Sequence, residues 1–482
     1  MEKLKKIFSN KIIWYLITRY LTYFIQFLSS IIIAVKLGPY LFGIWGFILL
    51  LLNYFRIIDF GISNASNILI VQNKENVEKV NAISWNAIYL VTGLNLLIVL
   101  FALYYKIIGI QFFDKFDIDK FFVMIIIVAM MTNYNVLLMN LYRIQNSLKE
   151  LTFYQSSIPI IIFALAFILK GEILLDYLLY ANVVGNIICL IVFYLGKKIP
   201  RFVSFDKKVS LSLLNKGIYL FIYNISFYLI VLSIKTLISI YYTVEEFGIF
   251  SFSHTLGNSV LLFLQALTFI VFPKIVSKLK GEDYIQIRKT INDIRKSYVT
   301  LAFGLVYLFL SISPFLLNLI PKYKEAFVTL ALVNLTIVLY TNSFGYGSFL
   351  MAQNKEKLNA LISFISLLIN LLIAFILIKV VHVSYNYVIM ATIIAYVLYT
   401  FLCVYFGKKK MGLKEGFIKD FDDCFPFRLA VPYILAIVIV VTGYKYLMVI
   451  PFIIFVLLNI KPISEIMDKI KLLILKPNVI DL

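Results

Sequence analysis

The sequence predicts an all-α integral membrane protein with about fourteen transmembrane helices, arranged as two six-helix lobes plus two C-terminal helices. Hydrophobic residues make up 62% of the 482 residues and charged residues only 15%, against about 45–50% and about 25% in soluble domains. Apolar runs of about 20 residues, the length that crosses a hydrocarbon core of roughly 30 Å, recur along the whole chain. Two motifs that occur in both halves divide these runs into the two lobes.

The predicted transmembrane segments are separated by short polar connections from one end of the chain to the other, and the last two segments are the shortest. They lie near residues 12–35, 40–63, 83–105, 120–142, 152–169, 173–196, 216–241, 247–273, 298–320, 326–351, 357–379, 383–406, 427–444 and 446–460.

The first two spans are predicted to form a hairpin. A run of 24 apolar residues from Ile12 to Val35 is long enough to cross the membrane at about 1.5 Å per residue. In the turn that follows, Gly38 tolerates an unusual backbone angle and Pro39 is suited to open the next helix. The second span then returns through Ile62.

An internal repeat relates the two halves. The sequence FGIWGF at residues 42–47 is echoed by FGIFSF at 247–252, and a QN pair at 145–146 recurs at 353–354 at nearly the same spacing. Six helices in each half give both halves the same orientation, so a pseudo-twofold axis is expected along the membrane normal. The predicted domains are an N-terminal lobe at 1–196, a cytoplasmic linker at 197–212, a C-terminal lobe at 213–406, and helices 13 and 14 with an amphipathic cytoplasmic tail at 407–482.

The net charge of +20 is explained by membrane orientation. With the N-terminus inside, most lysines and arginines fall in segments that face the cytoplasm, as the positive-inside rule requires. An even number of helices then places the C-terminus inside as well. The charge therefore predicts topology and gives no reason to expect a nucleic-acid partner.

No catalytic or metal-binding motif is present. The three cysteines (Cys189, Cys403 and Cys424) are far apart and are interpreted as packing residues. His254 is more simply a hydrogen-bonded structural residue than a proton relay. We expect no catalytic residue, no metal site and no cofactor.

Ionisable side chains inside apolar helices are the candidate functional residues. Arg19, Arg56, Asp59 and Lys235 each cost at least about 2.5–3.5 kcal/mol to insert. The simpler alternatives are an ion pair between Arg56 and Asp59, three positions apart, and extension of the Arg19 or Lys235 side chain to the interface. Taken together, the charges are mainly positive, so a cavity that they line is expected to attract an anion.

Polar and aromatic residues on the same helices complete the predicted site. Gln26, Asn224 and tyrosines such as Tyr15 and Tyr23 are suited to hydrogen-bonding and stacking on sugars, although tyrosines near helix ends are also common at membrane interfaces. The predicted substrate-binding residues are Arg19, Arg56, Lys235, Asp59, Asn224 and Gln26.

Three further features concern the cytoplasmic side. Residues 274–297 and 463–475 show apolar residues at helical spacing among charges, which predicts amphipathic helices on the inner leaflet. Gly345 and Gly347 mark a hinge or a position of close helix packing.

Short motifs at the ends of the first and second spans of each half carry a family resemblance. They are Leu37-Gly38-Pro39, Phe42-Gly43 and Asp59-Phe60-Gly61 in the first half, and Tyr241-Tyr242-Thr243, Phe247-Gly248 and Phe272-Pro273 in the second. This pattern resembles the polysaccharide-transporter, or O-antigen flippase, family of the multidrug/oligosaccharidyl-lipid/polysaccharide (MOP) superfamily.

The resemblance implies a two-lobe fold like that of multidrug and toxic-compound extruders (MATE), with a cavity that opens alternately to each side. It implies that undecaprenyl-diphosphate-linked oligosaccharide repeat units move from the inner to the outer leaflet of the bacterial plasma membrane for O-antigen or capsule assembly. The implied partners are this glycan, membrane lipid, and polysaccharide polymerase or chain-length proteins. The coupling ion, if any, is H⁺ or Na⁺.

The resemblance also assigns a role to the arginines. Related lipid flippases hold the diphosphate with arginines in the first helices of the lobes, and Arg19 and Arg56 occupy matching helices. The second lobe departs from this pattern, because Asn224 stands at the place of Arg19 and Leu261 at that of Arg56. Lys235 is a candidate to compensate.

Two other functions stay open at this point. A MATE-like multidrug/cation antiporter needs carboxylates in its cavity, and the chain offers few. A membrane enzyme such as a glycan polymerase or ligase needs a larger outward loop than any that the sequence provides.

Overall fold

The structure, a computed structural model, describes residues 11–475 except 74, 109–113, 146, 197, 282 and 414. Side chains at 11–13, 16, 219–220, 223–224, 263, 265–274 and 469–475 also lie outside the description. The described ranges are helical and contain no strand, so the all-α prediction is confirmed.

Eighteen α-helices are present in the described part of the chain, connected by turns and short 3-10 segments. They are α1 (Lys11–Ile57), α2 (Ile62–Gln72), α3 (Val77–Ile108), α4 (Phe122–Ile144), α5 (Leu148–Ile168), α6 (Gly171–Leu195), α7 (Lys207–Tyr241), α8 (Val244–Lys278), α9 (Tyr284–Asn318), α10 (Phe327–Tyr340), α11 (Tyr346–Ala352), α12 (Glu356–Lys379), α13 (Tyr385–Val388), α14 (Met390–Lys410), α15 (Phe417–Cys424), α16 (Phe427–Thr442), α17 (Val449–Leu458) and α18 (Ile460–Leu475).

Among the described residues, fewer than fourteen helices meet the length and hydropathy of a membrane span. Nine of the described helices are long and apolar enough to cross a membrane, or up to eleven if each of two bent pairs is one span. Two of the predicted spans share α1, and the last two correspond to the bent pairs, whose bends are 69° at α15–α16 and 72° before α18. The protein is therefore a multi-pass membrane protein, but the exact count of fourteen is not confirmed.

The second predicted span ends earlier in the structure than the sequence predicted. We expected helix to continue to residue 63, but α1 ends at Ile57 and α2 begins at Ile62. The residues between them include Phe60 at φ 46° and Gly61 at φ 74°, which are left-handed conformations that end a helix. Asp59 consequently lies in a turn rather than inside a membrane helix.

The predicted turn between the first two spans is a local break within α1. Gly38 has φ 74° and ψ 173°, a conformation that is open to glycine and strained for other residues. Pro39 follows it as the first residue of the second helical part.

The repeated FG motifs pack against each other's flanking backbone. A β-carbon at Gly43 would overlap the carbonyl oxygen of Val244, and one at Gly248 would overlap the carbonyl oxygen of Pro39. Glycine at both positions therefore allows α1 and the start of α8 to approach at backbone distance, as small residues commonly do in membrane proteins. The sequence repeat thus has a structural reason.

Replacing Gly248 by alanine is expected to destabilise the protein by about 1–3 kcal/mol or more, because the neighbouring backbone carbonyl cannot rotate away. The measurement is the thermal unfolding midpoint of the purified protein in detergent. Gly93→Ala on α3 is the matched control, since a β-carbon there meets nothing within 4 Å and alanine favours helix by about 1 kcal/mol. Equal midpoints for the two variants would contradict the packing argument.

Two predictions about the second half need adjustment. Helix α7 begins at Lys207, inside the segment 197–212 that we expected to be a linker. The amphipathic stretch up to 297 includes the first turns of the 35-residue helix α9 and is not a separate surface helix. The predicted break at Gly345 is present: its φ of 109° separates α10 and a 3-10 turn from α11.

The chain divides into two compact units. Unit 1 comprises Met1–Ile225 with Tyr242–Gly248, and unit 2 comprises Ser226–Tyr241 with Ile249–Leu482. The three cysteines are free and buried, as packing residues should be. The domain boundaries inferred from the sequence repeat stay a prediction.

Candidate functional site

Arg19 is the central cation of unit 1. It lies on α1 one turn from Tyr15 and one turn from Tyr23, and it is partly buried. Its Nη2 donates a hydrogen bond to the Tyr23 hydroxyl at 2.5 Å, and its guanidinium carbon lies 4.4 Å from the centroid of the Tyr23 ring. No described carboxylate is within ion-pair distance of Arg19. A tyrosine holds this guanidinium in place without neutralising it.

Contacts between α1 and α5 fix the face that carries Arg19. The Tyr15 hydroxyl donates to Oε1 of Gln155 at 3.1 Å, and the Thr22 and Ser156 hydroxyls lie 2.6 Å apart. Gln26 lies two turns beyond Arg19 on the same face of α1 and is partly exposed. This face therefore presents a cation followed by an amide.

Two further arginines of unit 1 lie near tyrosines of α1 and α5. Arg143, in the last turn of α4, is close enough to Tyr15 to interact electrostatically with it. Arg56, exposed in the last turn of α1, interacts in the same way with Tyr154 on α5. Arg143 was missed by sequence reasoning because the positive-inside rule already explains a basic residue at the end of a span.

Asp59 does not form the ion pair that the sequence suggested as an alternative. Its carboxylate accepts hydrogen bonds from the backbone N–H of Ser63 at 3.2 Å and from the Ser63 hydroxyl at 3.1 Å, so it caps the first turn of α2. The Arg56 side chain is exposed and forms no ion pair with any described carboxylate. Arg56 therefore remains available to a ligand.

Burial raises the pKa of Asp59 from 3.8 to about 6, although the bonds from Ser63 and the charge of Arg56 oppose the shift. Because the folded protein holds this proton more tightly than the unfolded chain, the contribution of Asp59 to stability is present at low pH and is lost as the pH rises through about 6. The shift of about two pH units corresponds to at most about 3 kcal/mol.

Asp59→Asn is accordingly expected to flatten the pH dependence of stability between about pH 4 and pH 6. Unfolding midpoints of the wild type and the variant, measured across this interval, test the prediction. Asp206→Asn, at an exposed residue outside the helices, is the control. A wild-type midpoint that rises with pH in a manner that depends on Asp59 would contradict the assignment.

Lys235 lies in unit 2, on α7, and is partly buried. It is close enough to His254 on α8 to interact electrostatically, and it forms no ion pair with any described carboxylate. The Asn258 amide nitrogen lies 3.1 Å from Nδ1 of His254, which supports the structural interpretation of this histidine. The side chain of Asn224 lies outside the described residues, while Leu261 is buried in α8.

The predicted site residues are thus divided between the units. Arg19, Gln26, Arg56 and Asp59 belong to unit 1 and Lys235 to unit 2. Unit 1 offers three guanidiniums that each lie near a tyrosine, and a guanidinium suits an anion with several oxygens. Substrate binding by these residues stays a prediction.

Solved structures with a similar fold include MATE transporters and a lipid flippase. An inward-facing multidrug resistance MATE family transporter of the MOP superfamily matches with a TM-score of 0.64 at 10% identity, covering 82% of this chain and 98% of that one. The lipid II flippase MurJ in an inward closed conformation matches with a TM-score of 0.63 at 14% identity, covering 95% and 100%. The Vibrio cholerae MATE transporter VcmN in its bent form gives 0.57 at 13% identity, covering 88% and 99%.

These similarities confirm the MATE-like fold class. No curated protein sequence matches the chain. Residues 8–280, more than half of the chain, match the family described as polysaccharide biosynthesis protein. Together with the MOP-type fold, this match confirms the resemblance seen in the motifs: the chain belongs to the polysaccharide biosynthesis protein family.

Proposed function

We propose that the protein is a flippase that moves lipid-linked oligosaccharide repeat units across the bacterial plasma membrane by alternating access. The observation that carries the proposal is Arg19, a guanidinium kept in an apolar helix with a tyrosine and no described carboxylate beside it. Such a charge is costly in a membrane unless an anion neutralises it. Membership of a polysaccharide biosynthesis family makes a phosphorylated glycan lipid the natural anion.

The proposed substrate is an undecaprenyl-diphosphate-linked repeat unit of O-antigen, capsule or a similar polysaccharide. Arg19 and Arg56 bind diphosphate oxygens through their paired N–H groups, with Arg143 adding positive potential. Tyr15 and Tyr23 offer rings and hydroxyls to the sugars. The proposed substrate-binding set is completed by Lys235, Gln26, Asn224 and Asp59. Transport forms and breaks no covalent bond.

The direction and the energy source are part of the proposal. The distribution of lysines and arginines supports a topology with both termini in the cytoplasm. In the proposed direction, the glycan is loaded from that side and moves from the inner to the outer leaflet. The energy source is a coupling ion, H⁺ or Na⁺, or the consumption of product outside by polymerase and chain-length partners.

Reconstituted transport tests the function directly. Purified protein in vesicles is given a fluorescent undecaprenyl-diphosphate oligosaccharide, and a lectin added outside reports its arrival in the outer leaflet. We expect transfer to be faster than in protein-free vesicles and to be blocked by an excess of undecaprenyl diphosphate. Vesicles that export an organic cation against a proton or sodium gradient but do not move the glycan would instead establish the multidrug/cation antiporter.

A further inference from the structure

A cavity of about 240 Å³ lies within unit 2, and none of the residues assigned above is among its lining residues. One wall is a single face of α9, formed by Asn292, Arg295, Lys296 and Val299, which are three or four positions apart. The remaining walls come from the 3-10 turn after α10 and from the bend between α15 and α16. They are formed by Asn342, Asp422, Asp423, Pro426, Arg428 and Leu429.

The cationic side of this cavity is only partly neutralised. Arg295 is 9% exposed, its Nη2 reaches the Cys424 carbonyl oxygen at 3.4 Å, and its Nε has no hydrogen-bond partner among the described residues. Arg428 donates from Nη1 to the Thr300 hydroxyl at 2.8 Å and to Oδ1 of Asn459 at 2.6 Å. Neither guanidinium has a described carboxylate within ion-pair distance.

The other charges that line the cavity are engaged elsewhere or lie at its rim. Lys296 pairs with Glu465 at 2.7 Å, and Asp423 pairs with Lys408 at 2.5 Å. Asp422 is exposed and forms no described ion pair. Arg295 and Arg428 are therefore the lining cations that have no ion-pair partner in the described structure.

Asn342 supplies a second, independent observation. It is 1% exposed and lines the cavity, yet neither its amide nitrogen nor its amide oxygen has a hydrogen-bond partner within the described structure. A buried amide without partners costs about 1–3 kcal/mol. The amide N–H groups of Asn342 can donate to an anion. Its amide oxygen instead requires a hydrogen-bond donor on the ligand, such as a hydroxyl group.

From these groups we infer that the cavity binds a phosphate group that carries a hydroxylated substituent. Arg295 and Arg428 bind the phosphate oxygens, Asn342 bonds to both parts of the ligand, and Asp422 accepts from a hydroxyl at the rim. The same chemistry is present in a phosphoglycerol lipid headgroup and in a soluble sugar or polyol phosphate. This site is separate from the proposed transport residues, and its existence does not depend on transport.

The full-length protein in neutral detergent, freed of anionic lipid, tests the inference through its unfolding midpoint. Titration with phosphatidylglycerol is compared with titration by phosphatidylcholine and by glycerol 3-phosphate. A saturable rise with phosphatidylglycerol alone identifies a lipid headgroup as the ligand, and a rise with glycerol 3-phosphate identifies a soluble one. If neither compound raises the midpoint more than phosphatidylcholine does, the inference is overturned.

Variants assign the effect to the cavity. Arg295→Gln is expected to weaken apparent binding at least about tenfold, as loss of a charged hydrogen-bond donor does. Lys289→Gln, which removes a positive charge from an exposed position of the same helix, is expected to bind normally. Equal losses in the two variants, or normal binding by Arg295→Gln, would exclude this site.

Two further variants keep the test decisive. Asn342→Leu removes the unpartnered amide and keeps the branching of the side chain, so it is expected to fold at least as stably as the wild type and to bind several-fold more weakly. Normal binding by this variant would remove Asn342 from the site. The double variant Arg19→Gln/Arg56→Gln must retain the effect, because its loss would move the phosphate to unit 1 and leave the cavity without a role.

Discussion

Replacing Arg19 and Arg56 together by glutamine is expected to reduce glycan transport at least about 100-fold while the protein still inserts. Each charge-assisted hydrogen bond to a diphosphate oxygen contributes about 1.5–3 kcal/mol, and about 1.4 kcal/mol is a factor of ten. Glutamine keeps much of the side-chain length but removes the charge. The measurement is surface glycan in a strain that lacks the native gene, together with transfer in vesicles.

Graded variants separate charge from geometry. Arg19→Lys keeps the positive charge but loses the planar pair of donors, so intermediate transport is expected. Arg201→Gln, at an exposed residue in the segment between α6 and α7, controls for the change in total charge. Full transport by the double variant, at normal protein levels, would remove both arginines from the mechanism.

Lys408→Met is expected to be the most destabilising of these substitutions, at about 3–5 kcal/mol, because it leaves the buried Asp420 and the partly exposed Asp423 without their cation. The Lys408 side chain is 2% exposed, and its Nζ lies 2.8 Å from Glu415, 2.9 Å from Asp420 and 2.5 Å from Asp423. This group of one lysine and three acids joins the end of α14 to α15. The measurement is the unfolding midpoint and the yield of folded protein in detergent.

Two comparisons define the cause of that loss. Lys409→Met, at the exposed neighbouring position, should have little effect. Adding Asp420→Asn and Asp423→Asn to Lys408→Met should recover part of the stability, because the uncompensated charges are then removed together. No recovery in the triple variant would show that packing rather than charge explains the loss.

The same group makes stability depend on pH. Hydrogen bonding from Lys408, reinforced by Arg288 at 2.7 Å, holds the pKa of the Glu415 carboxyl below its ordinary value. Glu415 therefore contributes stability that is present above the ordinary carboxyl pKa and is lost as the pH falls through the lowered value. This direction is opposite to that of Asp59.

The local sequence pattern was sufficient to predict the class of protein and most of its helices. Long apolar runs have no alternative to helix in a membrane, since every backbone N–H and C=O must be satisfied within the segment. The FG motifs were identified from their repetition in the sequence. Their reciprocal contact with Val244 and Pro39 required coordinates, because the residues lie about 200 positions apart in sequence.

The sequence predicted the ends of the helices and the partners of the charged residues less accurately. The left-handed turn at Phe60 and Gly61 moved Asp59 out of the second span and onto the start of α2, where Ser63 rather than Arg56 is its partner. In the sequence, Arg143 looks like an ordinary basic residue at the end of a membrane span. Its proximity to Tyr15 follows from the packing of α4 and α1, which no local pattern encodes.

By itself the sequence determined that this chain is a helical, multi-pass membrane protein whose first span carries a guanidinium. These features follow from short segments, because composition, periodicity and the free energy of inserting a charge into lipid depend on local sequence. Only the tertiary structure decided which cations have counter-charges: Lys408 is surrounded by acids, whereas Arg19, Arg295 and Arg428 have none within ion-pair distance in the described structure. The physical reason is that electrostatic pairing acts over a few ångströms in space, and residues far apart in sequence come within that range only when helices pack.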